Sequence, residues 1–230
     1  MADVLKYFTW FKENKINYTE YRKEVYRIAI KLVEVGLIRL SSGNVSMRLP
    51  DGNVAITPSS IPYDEMNYKE IVILDIDGNI VDGDHKPSVE KMLHINAYKA
   101  REDIKAVIHS HSIYSMALSL VKLEIPLINS ELVPLGAPIP VVSYILPGTD
   151  LLAEKVAEPF KNRLLLKAVL LENHGTVVVG KNLKDAFQNA YNLETGAEVY
   201  HKALQTGKKI RVLSQSEFEE VYNRYYKAKQ

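Results

Sequence analysis

Along residues 19–38, "TEYRKEVYRIAIKLVEVGLI", apolar groups recur at Val25, Ile28, Ala29, Leu32 and Val33. That is the spacing of a helix with one buried stripe. Thr19 is placed as its N-cap and Gly36 near its stop. The pattern then changes. "SGNVSMRL" and "GNVAITP" predict two strands around the turn "PDG", and "EIVILDIDGNIVDG" predicts a strand pair turning at Asp77-Gly78. "PSVEKMLHINAYKAR" reads as helix, "IKAVIHSH" as strand, "SIYSMALSLVKLE" as helix, "IPVVSY" as strand and "DLLAEKVAEPFKN" as helix. "AVLLENHGTVVVG" predicts two buried strands broken at "NHG". A long helix follows from Asn182 to Leu204, with Ala186, Phe187, Ala190, Leu193 and Ala197 on one side. Helices and strands interleave without a strict βαβ rhythm. The expected class is α/β, a mixed or largely antiparallel sheet with helices on its faces.

The chain shows no repeat, low-complexity tract or linker, and 230 residues fit a single domain. A net charge of +1 gives no electrostatic case for a nucleic-acid or anionic-membrane partner. With no cysteine, disulfides and thiolate metal sites are excluded, so any metal must be held by histidine and carboxylate. No apolar run approaches the roughly 18 residues of a membrane-spanning helix. The segment "MADVLKYFTWFKENK" is charged and aromatic, unlike a secretory signal, and the expectation is a cytoplasmic protein.

Candidate chemistry begins with "AVIHSHS", residues 106–112. Residues i and i+2 of a strand project to the same face, which places His109 and His111 roughly 6 to 7 Å apart at Cα. Two imidazoles at that separation can converge on one tetrahedral metal, which needs at least a third protein ligand. His174, in "ENHGT", is the candidate, because a turn between buried strands can aim a side chain into a cleft and Gly175 permits an unusual backbone. His85, His94 and His201 have no such context and are read as structural or solvent-facing. Three small, hydroxyl-rich turns add donors suited to a phosphate: Gly43 and Asn44 in "LSSGNVSMRL", Ser59 and Ser60 in "ITPSSIP", and Ser88, followed by Glu90, in "KPSVEKMLH".

The order S-G-N-V-S, I-T-P-S-S-I-P, K-P-S-V-E, H-S-H, P-G-T and E-N-H-G, from about residue 20 to 205, resembles the class II aldolase/epimerase family, which includes fuculose-phosphate aldolases and ribulose-phosphate 4-epimerases. The resemblance implies one domain over residues 1–230, with 1–18 as an N-terminal extension and 206–230 as a tail. It also implies a three-layer α/β/α fold around a mostly antiparallel sheet. The chain would form a homotetramer with active sites between subunits. A divalent metal, most often Zn2+, would sit on His109, His111 and His174. A small phosphorylated ketose would be held at Gly43, Asn44, Ser59, Ser60 and Ser88.

By the same resemblance Glu90 is the acid/base and a fourth metal ligand until substrate displaces it. In a closed site, burial or displacement from the metal by substrate is expected to raise its pKa against the helix-end dipole. Glu rather than Asp at 90 favours a lyase cleaving a sugar 1-phosphate to dihydroxyacetone phosphate and an aldehyde over the epimerase. Methylthioribulose-1-phosphate dehydratase typically has Cys near this position, and this chain has none. A non-catalytic module like the adducin head lacks the metal ligands. Two departures bear on substrate. Val89 stands where fuculose-phosphate members carry a second serine. Ser130 stands where they carry a tyrosine from the neighbouring subunit, and adjacent Glu131 is the substitute acid/base. Tyr222, Tyr225 and Tyr226 are alternatives for a family tail tyrosine.

Overall fold

The computed structural model describes residues 16–227, so nearly all of the N-terminal extension, with the segment read as unlike a secretory signal, lies outside the described residues. Helix α1 runs Thr19–Glu34 with Val25, Ala29 and Leu32 buried, matching the predicted stripe. Its N-cap is Tyr18 rather than Thr19; the Thr19 N–H is already inside the helix and donates to Asn17 Oδ1 at 3.0 Å. The strands that follow are β1 (Asn44–Arg48), β2 (Val54–Ile56), β3 (Val72–Leu74) and β4 (Ile80–Asp82). Helix α2 (Lys91–Ala100), β5 (Ala106–Ser110), α3 (Ile113–Leu120), β6 (Val141–Val142), α4 (Asp150–Asn162), β7 (Ala168–Leu171), β8 (Gly175–Gly180) and α5 (Leu183–Leu204) complete the body.

The eight strands form one sheet in the order β4-β3-β2-β1-β5-β8-β7-β6. Every pairing is antiparallel except β6 with β7. The exception has a simple cause. Helix α4 lies between them in sequence and carries the chain back over the sheet, and parallel neighbours need such a crossover. Helix α5 packs against α1, α3 and β8, while α2 packs against α4, giving the expected layers about the sheet. β5 and β8 are buried along their whole length, as central strands covered on both faces should be.

The tail is more structured than its sequence reading allowed. Helix α6 spans Gln215–Tyr225, its start fixed by a reciprocal capping box between Ser214 and Glu217. Buried Phe218 stacks on Tyr222 with ring centroids 5.6 Å apart. The S-x-x-E pattern was the available signal. This helix rests on a 3-10 turn, Ser130–Leu135. Among the described residues no helix is long and apolar enough to cross a membrane.

Candidate functional site

The site assembles where β5 ends beside the starts of β1 and β8. Asn44, the first residue of β1, is in register with His109 on β5, and His109 faces Val177 on β8. Gly43, with φ at +92°, makes the entry turn; a Cβ there would lie 2.7 Å from the His109 carbonyl oxygen, so only glycine fits both the angle and the space. Buried Tyr63, its phenol pushed up to about 12 by burial, donates to the Gly43 carbonyl at 3.0 Å.

β5 stops at Ser110, so His111 is the first residue beyond the strand rather than its last. The two imidazoles nonetheless converge, with Nε2 atoms 3.1 Å apart and ring centroids 4.9 Å apart. Directly after His111, the carboxylate of Glu194 on α5 accepts from the Tyr114 and Ser115 N–H groups at 2.8 and 3.0 Å. It thereby satisfies the open end of α3 from across the fold. His174 arrives on the turn between β7 and β8, where Asn173 is left-handed with φ at +56°. A Cβ on Gly175 would lie 2.4 Å from the Ser110 carbonyl oxygen. His109, His111 and His174 each offer a nitrogen, all within 4.8 Å of one another.

Glu90 is the N-cap residue of α2, yet its side chain caps nothing. It turns instead to the histidines, with Oε2 3.1 Å from His109 Nε2 and Oε1 3.2 Å from His174 Nε2. Asn44 Nδ2 donates to Oε2 at 3.3 Å. The Thr176 carbonyl, which can only accept, lies 2.9 Å from His109 Nδ1 and so keeps a proton on that nitrogen. In a neutral ring His109 Nε2 is then a bare lone pair, and it faces the carboxylate and His111 Nε2 together. Glu90 Oε1 and His174 Nδ1 are buried without a hydrogen-bond partner. Lone pairs and a carboxylate turned on one another are what a cation corrects. For comparison, ligands of a tetrahedral ion at 2.0 to 2.1 Å stand about 3.3 Å apart. The backbone carbonyl behind His109 is the usual support of a metal-binding imidazole. Nitrogen and oxygen donors of this kind suit zinc and several other divalent ions.

Burial and the neighbouring imidazoles His109 and His174 push the His111 ring down to about 4, which keeps it unprotonated near neutral pH. Burial alone raises the Glu90 pKa, but the His109 and His174 rings, when protonated at the nitrogens that face it, outweigh burial and hold the carboxyl well below the ordinary range. Glu90 therefore stands as a carboxylate while those charged rings face it.

The three hydroxyl-rich turns do come together. Ser59 N–H donates to Lys86 O at 2.8 Å, Ser88 N–H to Thr57 O at 3.2 Å, and Val45 N–H to Thr57 Oγ1 at 3.1 Å, so all three turns are tied to one another. The Ser59 and Ser60 hydroxyls are 3.1 Å apart, and Ser60 is left-handed with φ at +63°. Val89 is 72% exposed between Ser88 and Glu90. Glu131 is not brought to the site: it is exposed and, among the described residues, has no hydrogen bond or ion pair with Glu90 or the histidines. Its carboxylate acts on Tyr226, whose phenol is raised by burial and then by that charge. Tyr222 and Tyr226 line a cleft of about 430 Å³ with Pro134 and Asn192, and Tyr225 is exposed. The residue that spacing missed is His94, wholly buried and bonded to Asn44. Its sequence context, one histidine inside a helix, carried no signal.

Gly175 gives a direct check on this geometry. Gly175→Ala is expected to cost about 1 to 3 kcal/mol of stability, since an added Cβ must displace the Ser110 backbone. It should also weaken metal affinity, since His111 and His174 both flank that contact. Denaturant unfolding and a metal titration read the two effects, and an unchanged affinity would show that the contact does not govern the triad.

The sequence pattern described as Class II Aldolase and Adducin N-terminal domain matches residues 23–201. A curated relative, the 5-deoxy-D-ribulose 1-phosphate aldolase of Bacillus thuringiensis serovar kurstaki, is 32% identical over 205 residues, covering 89% of this chain and 94% of that one. The 3-oxo-tetronate 4-phosphate decarboxylase of Haemophilus influenzae is 37% identical over 191 residues, covering 80% of this chain and 87% of its own. Among solved structures, an L-fuculose 1-phosphate aldolase superimposes with a TM-score of 0.86 at 32% identity, covering 91% of this chain and 98% of that one.

Proposed function

Because the chain belongs to the family of class II aldolase and adducin N-terminal domains, and is an aldolase-type lyase within it, we propose that it cleaves a ketose 1-phosphate to dihydroxyacetone phosphate and an aldehyde, using a divalent ion, zinc first, on His109, His111 and His174. The observation that carries this is the convergence of three imidazoles and Glu90 on one point with too few protons to satisfy one another. The substrate class rests on the relatives' names, two of which are aldolases of ketose 1-phosphates.

The bound ion would supply Lewis acidity, drawing charge from the ketose oxygens as the C3–C4 bond breaks. Glu90 then moves the proton at carbon. In cleavage the electron pair of that bond stays on C3, which takes a proton from the Glu90 carboxyl; in condensation the Glu90 carboxylate removes it again. Gly43, Asn44, Ser59, Ser60 and Ser88 bind the phosphate, with Val89 giving no hydroxyl. Glu131, exposed on its own chain, takes the C4 hydroxyl proton at a site of a neighbouring copy in a homotetramer. A mixed oligomer of Glu90→Gln and Glu131→Gln chains should then regain activity that neither variant has alone.

A second reading is favoured by the decarboxylase relative, the most identical of the three proteins compared above. An ion held by the same cluster would stabilise the negative charge left on carbon when carbon dioxide departs. One experiment separates them: dihydroxyacetone phosphate release from a panel of ketose 1-phosphates, beside carbon dioxide release from 3-oxo-tetronate 4-phosphate, each with and without chelator. Chelator-sensitive dihydroxyacetone phosphate supports the aldolase. Carbon dioxide alone overturns it in favour of the decarboxylase, and turnover in neither assay overturns both.

A further inference from the structure

Behind Glu90 and Asn44 runs a buried chain of polar side chains, His94, Ser46 and Tyr98, that the proposed chemistry does not use. Asn44, His94, Ser46 and Tyr98 are all at most 4% exposed, and they come from β1 and α2. Asn44 Nδ2 donates to Glu90 Oε2 at 3.3 Å, so Asn44 Oδ1 faces the opposite way, onto His94 Nε2. An amide oxygen only accepts, so the proton lies on His94 Nε2 and Nδ1 is bare. Ser46 Oγ, 2.7 Å from Nδ1, must therefore donate to it. Its own lone pair accepts from the Tyr98 hydroxyl at 2.6 Å. Each link has one direction, set by the carboxylate at one end and the phenol at the other.

We propose that His94, backed by Ser46 and Tyr98, is a positioning residue of the active site: it locks the Asn44 amide so that both of its N–H bonds face the pocket, one on Glu90 and the other toward the substrate's anionic group. The inference rests on the roles given above to Glu90 and Asn44. An amide is symmetrical in shape, and without a fixed donor on its oxygen side it can turn over. Turned over, Asn44 would set its oxygen against the Glu90 carboxylate and lose both donors. Burial holds the His94 ring unprotonated, its pKa pushed down to about 3, so it carries the single ring proton this requires. A buried polar chain of this kind would also serve as structure alone, which the measurements below separate from positioning.

The first measurement is nitrogen NMR of the metal-loaded enzyme carrying 15N-labelled histidine, with His94 assigned by loss of its signals in His94→Gln. A neutral ring protonated on Nε2 is expected at neutral pH; an Nδ1–H ring or a doubly protonated one overturns the proposal. The second is kinetic. His94→Leu removes the donor and should lower kcat by about 10 to 100-fold while raising KM for the phosphorylated substrate, with metal content unchanged. His94→Gln keeps a donor at the Nε2 position and should recover most of both. Equal losses in the two variants, or wild-type kinetics in His94→Leu, overturn the positioning role. If the wild-type protein cleaves no ketose 1-phosphate, the function proposed above fails on its own. Inorganic phosphate binding to the metal-loaded protein then serves instead of kinetics: weakened in His94→Leu and kept in His94→Gln if the relay holds, equal in both if it does not.

Discussion

Glu90→Gln is expected to lower kcat by about 10² to 10⁴-fold, the usual contribution of a general acid–base group. The variant should fold normally and keep much of its metal. The amide has the size of the carboxyl and retains an oxygen for Asn44 Nδ2, but it can neither take nor give the proton at carbon. Its loss should fall on kcat more than on KM, because the phosphate contacts are made by other side chains. A useful companion is exchange of the dihydroxyacetone phosphate C3 proton with solvent, which isolates the proton step from bond cleavage and should stop in the variant. A Glu90→Gln enzyme within a few-fold of wild type would reduce Glu90 to a counter-charge for the histidines.

Removing the ion should have an effect as large. Chelation is expected to abolish activity reversibly, and His174→Ala to lose both bound metal and roughly 10³-fold or more in kcat, since Lewis-acid stabilisation is worth several kcal/mol and each 1.4 kcal/mol is tenfold. His174 is the better choice of the three for substitution. His109 also holds the Thr176 carbonyl and His111 precedes α3, whereas His174 sits on a turn with Nδ1 already unpaired. Stability gives an independent measure, because an ion present at a hundred times its Kd stabilises the folded state by about 2.7 kcal/mol. Chelator should therefore lower the wild-type Tm and leave that of His174→Ala almost unmoved. Stoichiometric metal in His174→Ala with full activity would remove this histidine from the site.

Hydrophobic period made the elements legible. The buried stripe of α1, the all-apolar β7 and β8 and the face of α5 are consequences of spacing within a dozen residues, and each forms where the pattern places it. The triad was legible for the same reason: H-S-H at a strand end and N-H-G at a strand break are local arrangements. The start of α1 slipped by one residue because Asn17 and Tyr18 settle that cap between them. Helix α6 went unread because only one of its residues is buried, so its apolar side is weak and its signal lay in the capping box instead.

What tertiary structure alone decided is polar and long in range. Asn44 meets Glu90 across 46 residues and His94 across 50, and the Thr176 carbonyl fixes the proton of His109 across 67. No period marks such partners, since a hydrogen bond is directional and closes only after the strands are in register. The charge state of Glu90 follows from the same fact. Spacing showed a carboxyl at a helix start, but folding set two imidazoles against it at about 3 Å, and when protonated they outweigh its desolvation. Sequence determined which residue types were available to the site and the layers that carry them; packing decided which way each proton points.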